Sequence, residues 1–346
     1  MTDHAELTNR TLDELRVAPE RYRPTNFWGP GVDALLGDLE RRGLETFKSW
    51  PSAAVWFNPY YGDGWTDATM AATYETVVRK IRPTAKKHYF VQALNGSQQA
   101  RRDYDVACVG WDQQRWPFDL ASGGESTIGK PWQRYGAERG TDFRFGRAYA
   151  NYLLCLSALS RHVDTPPRSF LELGGGFGVL GEIVTSRDPG ARYVDLDIPP
   201  LLSVATYYLE SLLGAERVTS YDQAASAPGP IHVPQSGVLP NYRIEDLDAE
   251  FEVFVNSFSF QEMEPDVVDH YIDQVCAKGI RYAVSLNSRA GKPRAANPGD
   301  WGALEPVTSA NIIEMFATRG LELVGSYDAP YVRGAGQLNV FRRQAD

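Results

Sequence analysis

Cysteine is scarce in this chain: Cys108, Cys155 and Cys276 are the only three among 346 residues. Three widely spaced thiols cannot make a disulfide framework or a four-cysteine zinc site. Long apolar runs are missing too. The most apolar stretch, around residues 149–159, is far too short to span a bilayer. No basic segment followed by an apolar core opens the chain, so no secretory signal is expected and a reduced, cytoplasmic location is. Positive charge is not in excess: 35 Lys+Arg stand against 44 Asp+Glu, a net −9. Residues 1–165 carry 21 basic and 20 acidic side chains (+1), leaving 14 and 24 (−10) for the remainder. A nucleic-acid binder would show a broad positive face, and the second half shows the reverse. The short clusters Arg79–Lys80–Arg82–Lys86–Lys87 and Arg101–Arg102 read as solvated helix ends. No internal repeat or low-complexity tract is present.

The chain is long enough for about two domains and is rich in aromatics, at 12%. Tryptophan divides it, with seven of eight before residue 140 and only Trp301 after. The first half is irregular. Strand-like runs at 53–57 and 89–93 alternate with helical candidates at 32–41 and 67–81, punctuated by turns such as Asn58-Pro59. From about residue 144 the pattern is regular. Tyr149, Tyr152, Leu153, Leu156 and Leu159 fall on one helical face, and Pro166-Pro167 closes that helix. Strands are expected at 169–173, 192–196, 251–256 and 280–286, with helices at 178–186, 199–213, 265–277 and 308–318. Strands at 321–327 and 337–342, joined by a loop alone, should form an antiparallel hairpin at one edge. Strands separated by single helices imply an α/β fold with a mostly parallel sheet. A division at 143/144 follows, with an aromatic-rich auxiliary region before it.

The strongest local signal is Leu171-Glu172-Leu173-Gly174-Gly175-Gly176-Phe177-Gly178. A strand entering a glycine-rich turn and then a helix exposes bare amides to a ligand at the sheet's carboxyl edge. Gly176-x-Gly178-x-x-Gly181 satisfies the dinucleotide fingerprint, so an NAD or FAD site must be weighed. The acidic-x-Gly-x-Gly-x-Gly turn of class I S-adenosylmethionine-dependent methyltransferases is also met, by Glu172, Gly174, Gly176 and Gly178. That reading accounts for Glu172, since a carboxylate suits a ligand carrying a sulfonium and an ammonium. Asp195 and Asp197 end the next strand, where an acid can accept both hydroxyls of a ribose. They share a strand face, and spacing alone does not choose between them.

Over residues 125–345 the chain resembles a family of sugar O-methyltransferases from natural-product and surface-glycan pathways. The likeness rests on the glycine turn, on Tyr193-Val194-Asp195-Leu196-Asp197-Ile198-Pro199 and on Ala205-Thr206-Tyr207-Tyr208-Leu209. It continues through Val255-Asn256-Ser257-Phe258-Ser259-Phe260-Gln261-Glu262-Met263, Tyr271 and Ser285-Leu286-Asn287. Upstream, Ile128-Gly129-Lys130-Pro131 resembles an element preceding the family's core. The resemblance implies a Rossmann-like, seven-stranded class I methyltransferase sheet, with S-adenosyl-L-methionine as co-substrate and a small sugar-containing acceptor. The Asp-Ile-Pro element also resembles plant small-molecule O-methyltransferases, in which the aspartate holds the donor ribose; that favours Asp197, with Ile198 beside it.

O-methylation needs a base within reach of the acceptor hydroxyl unless a metal lowers its pKa. Glu262, after the fourth strand, is the first candidate, and His270, two helical turns on, the second. Asn256 and Ser257 end that strand and are candidates for hydrogen bonds to donor or acceptor. Arg147 is a candidate partner for the methionine carboxylate. Asp246-Leu247-Asp248 reads as a loop, and no metal is expected. The segment 287–301, with Arg289, Lys292 and Arg294, reads as a solvated loop or a lid for an anionic group. Trp56, Phe57, Tyr60, Tyr61 and Trp65 suit a stacking wall or a core. An NAD(P)-dependent oxidoreductase and a non-catalytic donor-binding module remain the alternatives. Oligomeric state stays open.

Overall fold

The computed structural model describes residues 2–62, 95–109, 123–136, 142–225, 229–328 and 336–344. The segments expected at 67–81 and 89–93, together with His88, Trp65 and the basic cluster at 79–87, lie outside them.

An α/β sheet organises the chain. Its strands are β1 (Ser169–Leu173), β2 (Arg192–Asp197), β3 (Val218–Thr219), β4 (Ser236–Pro240), β5 (Val253–Ser257), β6 (Tyr282–Ser288), β7 (Leu321–Asp328) and β8 (Gly336–Arg343). The spatial order is β3-β4-β2-β1-β5-β6-β8-β7. The first six in that row pair in parallel, and β8 runs antiparallel to both β6 and β7. The expected hairpin therefore forms, with its second strand inserted beside β6 and its first at the edge. The chain starts at the centre with β1, winds outward through β2, then returns to β5 on the other side. That reversal opens a crevice at the carboxyl ends of β1 and β5.

Among the described residues this sheet has eight strands, against seven expected. The additional strand, β3, is two residues long and sits outermost on β4. Gly237 permits the approach, because a Cβ there would lie 2.9 Å from the Thr219 carbonyl oxygen. Neither β3 nor β4 shows in the sequence: β4 is five residues long, contains glycine and ends on Pro240.

The helices around the sheet are α1 (His4–Val17), α2 (Gly29–Arg42), α3 (Ser97–Val109), α4 (Arg147–Ser160), α5 (Val179–Arg187), α6 (Leu201–Leu213), α7 (Pro265–Ala277) and α8 (Ser309–Ala317). Caps set several ends. Asp3 accepts the Ala5 and Glu6 amides, Pro265 opens α7, and Thr308 with Asn311 closes a capping box on α8. The one-faced stripe expected on α4 is buried all round, from Ala148 to Ser160, because α3 covers the face turned away from the sheet. Residues 53–57, expected as a strand, instead form a helical turn at Ala53–Trp56. Two alanines favour helix there, and the Phe57 and Asn58 amides both close on the Ala53 carbonyl. One continuous buried cluster joins Leu7, Tyr22, Phe47 and Trp50 to the core of the sheet. No helix among the described residues is long and apolar enough to cross a membrane.

Candidate functional site

Where β1 meets α5, the chain needs three glycines at positive φ: Gly174 (+73°), Gly176 (+68°) and Gly178 (+82°). A Cβ on Gly174 would stand 2.5 Å from Ser259 Oγ, so the loop after β5 presses directly on the turn. The turn opens onto a cavity of about 590 Å³ at the sheet's switch point. Of the residues singled out in the sequence, Arg147, Gly174, Gly175, Gly176, Phe177, Asp197, Ile198, Ser257 and Glu262 line it. Glu172, Asn256 and His270 do not.

Asp197 sits at the tip of β2. Its Oδ2 accepts the Gly176 N–H at 2.8 Å and its Oδ1 the Ile198 N–H at 2.7 Å. Each oxygen therefore keeps acceptor capacity toward the cavity. Asp195 lies one layer behind: its Oδ1 accepts the Gly175 N–H at 3.0 Å, and its buried Oδ2 has no partner. Glu172 is buried on the same side and accepts the Tyr193 hydroxyl at 2.5 Å, while its Oε1 is unpaired. Burial drives all three carboxyls above their ordinary range, and Asp195 adds to the push on Glu172 and Asp197. A Cβ on Gly175 would meet both Glu172 and Asp195 at 2.7 Å, so this glycine of the cavity wall packs directly against the buried acids.

Asn256 is fully buried and ties three strand ends together. Its Nδ2 donates to the Leu173 carbonyl at 3.1 Å, and its Oδ1 accepts from Phe260 N (3.1 Å) and Asn287 Nδ2 (3.0 Å). It shapes the loop after β5 and leaves the cavity to Ser257. His270 faces a neighbouring cavity of about 620 Å³ that shares Arg21, Arg23, Pro24, Thr25 and Val267 with the first. Its Nε2 lies 2.7 Å from the Tyr22 hydroxyl, and burial followed by Arg21 lowers its pKa. Glu262 is nearly buried. Its Oε2 accepts the Trp28 indole N–H at 2.9 Å and its Oε1 pairs with Lys292 Nζ at 2.9 Å. Burial raises its pKa, and Lys292 opposes that rise.

Arg147, at the start of α4, donates to the Tyr60 carbonyl at 3.1 Å. Trp28 and Asn241, which the sequence reading did not single out, complete the walls together with Ser259, Tyr271 and Lys292. Phe57 comes within van der Waals range of the turn, 3.4 Å from a Cβ built on Gly176. Asp246 and Asp248 point elsewhere, to Arg243 (2.6 Å) and His232 (3.4 Å). Among the described residues, no group of three or more His, Cys, Asp or Glu side chains is placed to hold a metal.

No protein-family model matches the chain. Over 66 residues it is 41% identical to phenazine-1-carboxylate N-methyltransferase of Pseudomonas aeruginosa, a match covering 19% of this chain and 20% of that protein. The match thus spans about a fifth of the length of that curated relative. The structure of the pyocyanin biosynthetic protein PhzM superposes over 98% of this chain and 97% of its own, at 15% identity and a TM-score of 0.41. The mitomycin 7-O-methyltransferase MmcR superposes over 96% of this chain and 75% of its own, at 14% identity and a TM-score of 0.39.

Proposed function

We propose that the chain is an S-adenosylmethionine-dependent methyltransferase that methylates a hydroxyl of a small natural-product acceptor. On the resemblance described above, that hydroxyl belongs to a sugar. One observation carries the reading: a glycine turn at the switch point, Asp197 at the tip of β2 and a buried carboxylate, Glu262, share one cavity. When bound, S-adenosylmethionine supplies a methyl group made electrophilic by a sulfonium.

The residues present fit that donor. Both oxygens of Asp197 keep capacity for the two hydroxyls of a ribose. Glu172 and Asp195 stand buried directly behind Gly175. A cation on the far side of that glycine would draw both toward their ionised form. Glu172 thus acts on the donor at one remove, by its field, and Arg147, which lines the cavity and also donates to the Tyr60 carbonyl, is the candidate partner for the methionine carboxylate. Trp28, Trp56, Phe57 and Tyr60 give the cavity an aromatic wall suited to a sugar or ring face. Glu262 would serve as the base: a carboxylate oxygen would take the acceptor's hydroxyl proton while the hydroxyl oxygen bonded to the donor methyl, and the methyl–sulfur bond would break with its electron pair left on the neutral thioether of the spent donor. Residues 1–143 shape the acceptor side and residues 144–346 carry the donor site. A second reading, transfer to a ring nitrogen, is supported by the name of the Pseudomonas aeruginosa relative and by the same aromatic wall.

Isothermal titration with S-adenosylhomocysteine tests the donor. Micromolar affinity, roughly −8 kcal/mol, is expected, with no comparable heat from NAD. Binding of NAD at that strength, without any response to S-adenosylhomocysteine, would overturn the reading in favour of a dinucleotide enzyme.

A further inference from the structure

Lys292 belongs to the segment after β6 that reads in sequence as a solvated loop or lid. In the fold it turns inward. Its Nζ lies 2.9 Å from Glu262 Oε1 and 4.0 Å from the centroid of the Phe27 ring. The segment that carries it is fastened at several points. Asn26 Nδ2 donates to the carbonyls of Asp300 and Gly302, both at 2.9 Å, and Asn26 Oδ1 accepts the Gly299 N–H at 2.6 Å. The Ala295 N–H donates to the Ala303 carbonyl at 2.8 Å, closing the segment on itself. Trp301 lies against Phe27 and Trp56, with ring centroids 4.7 and 5.6 Å away. Glu262 is therefore gripped from two sides, by an indole N–H at the start of α2 and by an ammonium from a latched loop.

We infer that Lys292 is a positioning residue for Glu262, holding its carboxylate ionised and aimed into the cavity so that it can accept the acceptor's proton. The inference rests on the reading of Glu262 as the base. Burial without a cation in contact would drive this carboxyl toward its protonated form, which cannot accept a proton. An ammonium in contact opposes that, and the Phe27 face helps keep the lysine charged. Lys292, the Trp28 indole and Gln261 face Glu262; Arg21, Arg23, Arg147 and Asp197 line the same cavity. Lys292 also lines the cavity, with its ammonium seated on Glu262 Oε1.

The Trp28 indole N–H gives a readout that needs no acceptor, because it donates to Glu262 and its resonance follows that carboxyl's ionisation. In ¹⁵N-labelled protein, with Trp28→Phe to assign the signal, the native resonance should titrate with a midpoint that Glu262→Gln abolishes. Lys292→Met should move the midpoint up by about one pH unit or more. Lys292→Gln, which keeps a donor but no charge, should do the same, and Lys292→Arg should restore the native value. A native midpoint in both neutral variants, or a titration that survives Glu262→Gln, would overturn the inference. S-adenosylhomocysteine affinity within threefold of native in each variant shows that the site is still folded. Failure of the native protein to bind that ligand would sink the donor reading and leave the Glu262–Lys292 titration as its own result.

Discussion

Asp197 and Asp195 show how two carboxylates two residues apart can take different work. Both are buried, yet only Asp197 reaches the cavity, because it ends the strand where the ladder with β4 runs out. Asp197→Ala should weaken S-adenosylhomocysteine binding by about 1.5–3 kcal/mol, through loss of charge-assisted hydrogen bonds to a ribose. Asp195→Ala should leave that affinity nearly unchanged; calorimetry on the two variants checks the contrast, and the reverse order would pass the ribose to Asp195. The sequence reading preferred Asp197 through a resemblance, since alternation along a strand does not separate the two. Glu172 was legible as part of the turn, but its place behind Gly175 was not. Periodicity says which residues are buried, not what they are buried against. Trp28 and Lys292 were out of reach for the same reason: they meet Glu262 across 234 and 30 positions of chain, and nothing local marks the meeting.

The strand–turn–helix unit around Gly174 is the element on which the site depends, and it was the most legible part of the chain. Its signal is local, with an apolar strand, glycines at fixed offsets and a helix. The strain it avoids is steric. Gly174→Ala places a Cβ 2.5 Å from Ser259 Oγ at a φ of +73°. That change should destabilise the fold by about 1–3 kcal/mol, seen as a lower thermal midpoint. Ser259→Gly in the same chain should recover only part of the loss, because the contact is relieved while the backbone conformation is not. Full recovery would mean that the φ costs nothing. Elements without such local punctuation were missed or misread. The five residues of β4 end on a proline, and the apolar run at 53–57 closes into a helical turn on the Ala53 carbonyl.

Across the whole molecule, a buried ionic network fastens the first sixty residues to the helices behind the glycine turn. Lys48, fully buried, pairs with Glu125 at 2.7 Å and donates to the Tyr208 hydroxyl at 3.1 Å. Tyr208 in turn donates to Glu182 at 2.6 Å, and Glu182 also accepts the Ser126 N–H at 2.7 Å. Burial pushes the Glu182 carboxyl up to about 7 from 4.5, against the pull of Lys48. The folded protein thus keeps a proton that the unfolded chain has released. Its share of stability is complete below about pH 4.5 and is lost as pH rises through about 7. Urea midpoints should fall over that window beyond what other groups impose, and Glu182→Gln should flatten the fall. An unchanged slope would show that Glu182 is ionised throughout. The network joins residues on both sides of the division expected at 143/144, and composition, which divides the chain by tryptophan content, carries no trace of it.

The aromatic cover over the latched loop also has an optical consequence. Trp28 and Trp56 lie with centroids 5.1 Å apart and tilted by 39°, and Trp301 stands 5.6 Å from Trp56. Indoles this close share their excited states, so the near-ultraviolet circular dichroism of the three depends on their mutual angles. Trp301 belongs to the loop that delivers Lys292, while Trp28 holds Glu262. Any ligand that lifts the loop must turn one chromophore against the others, and the protein carries an unlabelled spectroscopic gauge of that cavity.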